Sequence, residues 1–244
     1  MTPDPAFHSA RSFDAALDRL ADVTQALGLD AVDYGFMPQA RTADGRYNAP
    51  EIFWRNWPSR IPSGWTRYSR EDPFLYAVYG RTLPLDWNLV RDAEWLSPFQ
   101  REALSYVGGC GIQDGLTVPI HLPDGAFAFV SAANTGAHGR WRQRQEQVRQ
   151  SLFMLAHEFH AAVAPRFGLL RSRGTDTPLS ARESEILAFA AQGCSAPETA
   201  RRLCRSVETV RRQRKAAMEK LGAHTMAQAV AVAMRRDLIA MPAH

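Results

Sequence analysis

Between Ser180 and Thr225 the chain signals the start of a new helix four times, and few folds accept helices so short and so tightly joined. Ser180-Ala-Arg-Glu183 and Ser195-Ala-Pro-Glu198 both fit S-x-x-E. In that pattern the Ser hydroxyl accepts from the N–H three residues on, and the Glu carboxylate accepts from the N–H of the Ser. Pro197 in the first turn gives up only an N–H that had no helical partner. The first helix is predicted to run to Gln192 and stop at Gly193. The second runs to about Cys204, the third from Ser206 to Leu221 before Gly222, and the fourth from Thr225 to Leu238. The tight Cys204-Arg205-Ser206 connection between the second and third makes a helix-turn-helix.

Charge agrees with that geometry. Residues 171–244 carry 13 Lys and Arg against 7 Asp and Glu, whereas residues 1–170 carry 16 against 18. A concentrated basic surface draws polyanions through counterion release, and double-stranded DNA is the expected partner. On the third helix, Val207, Val210, Ala217 and Leu221 fall on one inward face. Arg211 and Lys215 project one turn apart and are the candidates for base edges. Arg212 and Arg214 lie off that line and are assigned to phosphates. Glu208 and Thr209, in the first turn, complete the candidate DNA-facing set.

Several classes are excluded. No stretch approaches the ~20 apolar residues of a membrane helix, so no membrane partner is expected. The N-terminus lacks a basic start followed by an apolar run, so no secretory signal is expected. The cysteines, Cys110, Cys194 and Cys204, are odd in number and form no C-x-x-C. That argues against a disulfide framework or a zinc site and for the cytoplasm. Catalysis finds no support: His157 and His160 flank no H-E-x-x-H, and Cys110 sits between glycines without an evident base.

The first part of the chain mixes element types. Ser12–Leu27 is predicted helical from Phe13, Leu17, Leu20, Val23 and Leu27. Ala31–Pro38 and Glu51–Trp54 read as strands, and Glu94–Val107 as a helix stopped by Gly108-Gly109. Leu116–His121 and Ala126–Ala132 read as a hairpin joined by Leu-Pro-Asp-Gly, and Trp141–Val163 as a long amphipathic helix closed by Pro165. The expected fold is α+β, an antiparallel sheet sandwiched by helices, followed by an all-α four-helix unit. The boundaries are a first domain over 1–165, a linker over 166–178 and a DNA-binding domain over 179–244.

Residues 179–238 resemble the LuxR/FixJ-type helix-turn-helix. Its pattern is met by Leu179, Ser180, Arg182, Glu183, Ile186 and Leu187, by Ala191, Gly193, Ser195, Glu198 and Ala200, and by Thr209, Val210, Lys220, Leu221 and Gly222. Thr199 replaces the family's usual Ile, and Gln213 its frequent His. No βα repeat precedes it, which argues against a phosphorylation receiver. Residues 12–165 instead resemble the autoinducer-binding domain of LuxR-type quorum-sensing regulators. The carrying residues are Asp72-Pro73, Trp87 fifteen residues on, Gly115–His121 with Thr117 inside it, and the hairpin ending Val130-Ser131.

The resemblance implies a ligand-responsive transcriptional regulator, a homodimer on a two-fold operator with RNA polymerase as a further partner. It implies no cofactor beyond a small-molecule signal, an acyl- or aryl-homoserine lactone or a related molecule. Such a ligand has an amide N–H, two carbonyls and an apolar tail. The buried N–H wants a strong acceptor, for which Asp72 is the candidate. The carbonyls want neutral donors, for which Trp65, Tyr68 and Ser131 are candidates. Rings from Phe53 to Trp87, with Trp57 among them, and Phe129 on the hairpin would line the tail's site. The Trp-to-Asp spacing departs from the family: Trp65 precedes Asp72 by seven residues and Trp57 by fifteen, with Ile61 or Phe53 where the family carries a Tyr. That departure, with the extra rings, argues against the usual straight-chain lactone and leaves room for an aromatic or unusually shaped ligand, or for a regulator without ligand dependence. The alternative is a ligand-independent or inhibitory LuxR-like factor with a vestigial sensor.

Overall fold

A computed structural model describes residues 6–42, 44–112, 114–122, 125–135, 144–168, 179–236 and 238–239. The chain divides into two compact units, Met1–Arg171 and Ser172–His244. Among the described residues no helix is long and apolar enough to cross a membrane.

The first unit runs α1 (Ala6–Ser9), α2 (Phe13–Ala26), β1 (Ala31–Met37), β2 (Glu51–Arg55), α3 (Arg60–Trp65), α4 (Pro73–Val78), β3 (Leu85–Asp86), α5 (Asn88–Arg91), α6 (Pro98–Gly109), β4 (Asp114–His121), β5 (Phe127–Asn134) and α7 (Gln145–Val163). The sheet order is β2-β1-β5-β4-β3, and every pair is antiparallel. All seven residues of β1 and all eight of β5 are buried, so both faces are covered. Period-two alternation sorts their side chains. Val32, Tyr34 and Phe36 with Val118, Val130 and Ala132 face the layer of α1, α2 and α7. Met37, Phe127, Phe129 and Ala133 face the short helices α3–α6. In the first layer α7 buries Val148, Leu152, Leu155, Phe159 and Val163. Each such side chain contributes about 1.5–3 kcal/mol. There the Tyr34 hydroxyl and His160 Nδ1 lie 2.8 Å apart.

Some expected boundaries move. The helix expected from Glu94 begins at Pro98, because Ser97 and Gln100 form a complete capping box with Pro98 in the first turn. The linker starts later than residue 166. The Arg166 guanidinium donates to the carbonyls of Phe7, His8 and Ala10, and Phe167 packs on Phe13. Trp141, most of the linker and the Pro-Asp of the hairpin turn fall outside the described residues.

The second unit comprises α8 (Ala181–Ala191), α9 (Ala196–Arg202), α10 (Val207–Leu221) and α11 (Met226–Arg235). Both predicted capping boxes form, at Ser180/Glu183 and Ser195/Glu198. Lys220 on α10 reaches back to Glu183 at 2.8 Å, tying the end of α10 to the start of α8. The second helix stops at Arg202, short of Cys204, because Cys204 takes a left-handed φ of 51° in the turn.

Candidate functional site

One row of residues crosses the sheet beneath the short helices. The register pairs Trp54 of β2 with Asp33 of β1, Asp33 with Ser131 of β5, and Ser131 with Thr117 of β4. These four floor a crevice whose walls are Trp57, Ile61 and Trp65 around α3, Asp72, Phe74, Leu75 and Val78 of α4, and Trp87, Val107 and Phe129. The unfilled space between the side chains, mouth included, is about 450 Å³, narrow throughout. Two glycines let rings lie flat on the sheet. A Cβ on Gly35 would stand 2.1 Å from the Phe129 ring, and one on Gly115 would stand 2.7 Å from Trp87. Trp87 stacks on Phe74 with centroids 4.2 Å apart and lies nearly parallel to Trp57 at 6.2 Å.

The polar groups of the crevice form a directed chain. The Trp87 indole N–H donates to Thr117 Oγ1 at 2.8 Å, and the Thr117 hydroxyl donates to Ser131 Oγ at 3.2 Å. Ser131 is in turn the register partner of Asp33 across β5 and β1. Two buried atoms on this lining have no hydrogen-bond partner among the described residues: Asp33 Oδ1, an acceptor when ionised, and Trp57 Nε1, a donor. Buried polar atoms are normally paired, so an unpaired donor and carboxyl oxygen in one crevice ask for an explanation.

Asp72 caps α4. Its Oδ1 accepts from the N–H of Phe74 at 2.8 Å and of Leu75 at 3.2 Å, with Pro73 in the first turn. Burial pushes its carboxyl up to about 7, against the pull of those two N–H groups. Burial, with the charge of Asp72 close by, also raises Asp33 well above the usual carboxylate range, and the neighbouring Ser131 hydroxyl pulls the other way.

Of the residues singled out in the sequence, the crevice brings together Trp57, Trp65, Asp72, Trp87, Thr117, Phe129 and Ser131. Two do not join them. Phe53 sits on the far face of the sheet, packed on Phe13 at 4.6 Å, because strand alternation turns it away from its neighbours Ile52 and Trp54. The Tyr68 ring packs against Phe99 and Tyr106 of α6, and its hydroxyl donates to Glu102 at 3.0 Å. Tyr68 is therefore not on the crevice wall and is no candidate donor there. Asp33 escaped the sequence reading. Its signal was a charged residue inside the apolar run Ala31–Pro38, two places from Gly35 on the same face.

In the second unit α10 exposes Glu208, Arg211, Arg212 and Lys215, half-buries Thr209, and buries Val210, Ala217 and Leu221. The Thr209 N–H is spent on the Ser206 cap, and Lys215 lies 3.9 Å from Glu219. Arg214 departs from the phosphate role expected of it. It is half-buried, and its guanidinium donates to the carbonyl of Cys194 at 2.7 Å and to Thr199 Oγ1 at 3.3 Å. Thr199, standing where an Ile was expected, thus supplies an acceptor between α9 and α10. Arg214→Ala should lower the stability of this unit by about 1–2 kcal/mol, since it strips donors from two acceptors. Urea denaturation of the full chain followed by hydrogen exchange on α9 and α10 measures this. Unchanged protection there would return Arg214 to the DNA-facing set.

Residues 12–163 match the autoinducer-binding domain family, and residues 177–233 match the luxR family of bacterial regulatory proteins. The chain is 29% identical over 187 residues to the transcriptional activator protein BjaR1 of Bradyrhizobium diazoefficiens, covering 74% of each. It is 28% identical over 188 residues to the transcriptional activator protein VanR of Vibrio anguillarum, covering 71% of this chain and 72% of that one. In fold it resembles Escherichia coli SdiA, with a TM-score of 0.69 at 20% identity over 95% of this chain and 94% of that one.

Proposed function

The chain belongs to the LuxR family of DNA-binding transcriptional regulators that carry an autoinducer-binding domain, and from that premise we propose that its crevice takes up an acyl- or aryl-homoserine lactone or a closely related amide. The family is one of regulators, not enzymes. The observation that carries the ligand reading is the unpaired indole N–H of Trp57 facing the same crevice as the buried carboxyl of Asp72. The first suits a ligand carbonyl and the second the ligand's amide N–H. The near-parallel rings of Trp57, Trp87 and Phe74 suit a flat or apolar arm. Seating such a ligand requires the rings to part, since the space between them is narrow.

A ligand that binds only the folded sensor stabilises it by mass action, about 2.7 kcal/mol at a hundred times its Kd. In this reading two copies pair and set their α10 helices on a two-fold operator, the spacing following from the protein symmetry. Contact with RNA polymerase would then turn occupancy into transcription. The narrowness of the crevice favours one rival, a regulator that needs no ligand. Heating the full chain with and without short-acyl and aryl homoserine lactones separates the two. A raised midpoint supports the ligand reading, and an unmoved midpoint with every lactone supports the rival.

Ligand uptake should also depend on pH. Between the usual carboxylate range and about 7, folded Asp72 holds a proton that the unfolded chain releases, so the ligand-free sensor loses stability as pH rises through that window. A ligand N–H favours the ionised form, so binding expels that proton. Lactone affinity should climb about tenfold from pH 6 to pH 8 and level off above. Titration calorimetry in buffers of different ionisation enthalpy reads the proton release directly. A flat profile would mean that Asp72 does not exchange its proton for the ligand.

A further inference from the structure

Asp33 is a carboxyl group inside a five-stranded sheet, buried to 2% exposure, on β1 beside the central strand β5. Asp33 pairs in register with Ser131 and lines the crevice. Its Oδ1 has no hydrogen-bond partner among the described residues. The neighbouring hydroxyls do not serve it. Thr117, which accepts from Trp87, gives its one proton to Ser131, and Ser131 makes no hydrogen bond to Oδ1. Trp54, its register partner on β2, packs edge-on against Trp57 at 5.4 Å, and Phe129, which brings no donor, lies over Gly35. Asp72, across the same crevice, has its own task as the cap of α4 and the acceptor proposed for the amide.

We propose that Asp33 is the specificity-determining residue of the crevice and selects ligands that bear a hydroxyl on the arm beyond the amide. This rests on the lactone reading above and adds the arm to it. The unpaired Oδ1 calls for a polar group brought by the ligand, since leaving a buried acid half-satisfied costs free energy that a plain hydrocarbon arm does not repay. A hydroxyl is the group that fits either state of the acid. It donates to a carboxylate and accepts from a carboxylic acid. A keto oxygen fits only the protonated acid. An ammonium would place another full charge in a site walled by indole and phenyl rings. Rings around the acid also favour carrying that hydroxyl on a flat arm, as a phenol.

Two matched pairs of probes test this: N-(4-hydroxyphenylacetyl)- against N-phenylacetyl-homoserine lactone, and N-(3-hydroxybutanoyl)- against N-butanoyl-homoserine lactone. Each is titrated into the full chain and into its Asp33→Val and Asp33→Asn variants. In at least one pair the hydroxylated member should bind the unmodified chain tenfold or more tightly than its partner. Asp33→Val, which removes both polar atoms at similar volume, should erase that preference. Asp33→Asn, which keeps an acceptor and a donor, should retain part of it. Equal affinities within both pairs, or a preference that survives Asp33→Val undiminished, would overturn the assignment of Asp33 while leaving the lactone reading intact. Binding of none of the four would remove both.

Discussion

Asp72→Asn should weaken lactone binding by about ten- to a hundredfold while leaving the ligand-free sensor folded. Asn caps helices about as well as Asp. The Phe74 and Leu75 N–H groups therefore keep an acceptor, and α4 keeps its start. What is lost is the charge on the acceptor. A buried hydrogen bond to a charged group is worth about 1.5–3 kcal/mol, the source of the expected factor. Asp72→Ala removes the cap as well, and should cost a further ~1 kcal/mol of stability before any ligand is added. Calorimetric titration of the two variants separates capping from recognition. Equal lactone affinity in the Asn variant and the unmodified chain would reduce Asp72 to a helix cap.

Arg211→Ala should lower affinity for the preferred operator by about 1–3 kcal/mol and flatten the base preference at one position in each half-site. Lys215→Ala should do the same at a neighbouring position, because the two side chains leave α10 one turn apart on its exposed side. Arg212→Ala should instead weaken binding to every sequence alike and reduce the salt slope by about 1. Selection from randomised half-sites reads all three variants at once. Uniform losses from Arg211→Ala would make Arg211 a phosphate contact.

The C-terminal unit was legible because its determinants are local. A capping box occupies four consecutive residues, and Ser180, Ser195 and Ser206 each cap the helix that was expected of them. Arg214 was misread because its burial depends on Thr199 and Cys194, which sit on other elements. The sheet strands were legible from β-prone runs, yet their pairing order is non-local. The order decides that Asp33, Ser131 and Thr117 share one row, so the crevice floor could not be read off the chain. Phe53 and Trp54 show the same limit at one residue's distance. Both are rings in one strand, and only the register says which of them faces the crevice. The short helices α3, α4 and α5 span four to six residues each, too short for a helical period to show in the sequence. Tyr68 was misplaced for that reason, since its direction is set by how α3 leads into α4 across α6.

Occupancy of the crevice is proposed to govern how α10 meets DNA, and the full chain's affinity for operator DNA chosen by selection, measured by fluorescence anisotropy with and without a bound lactone, tests this most directly. Coupling between the two sites should change that affinity at least about fivefold, and Asp72→Asn at the same lactone concentration should abolish most of the change. Identical operator affinity in the presence and absence of a lactone shown to be bound would contradict it.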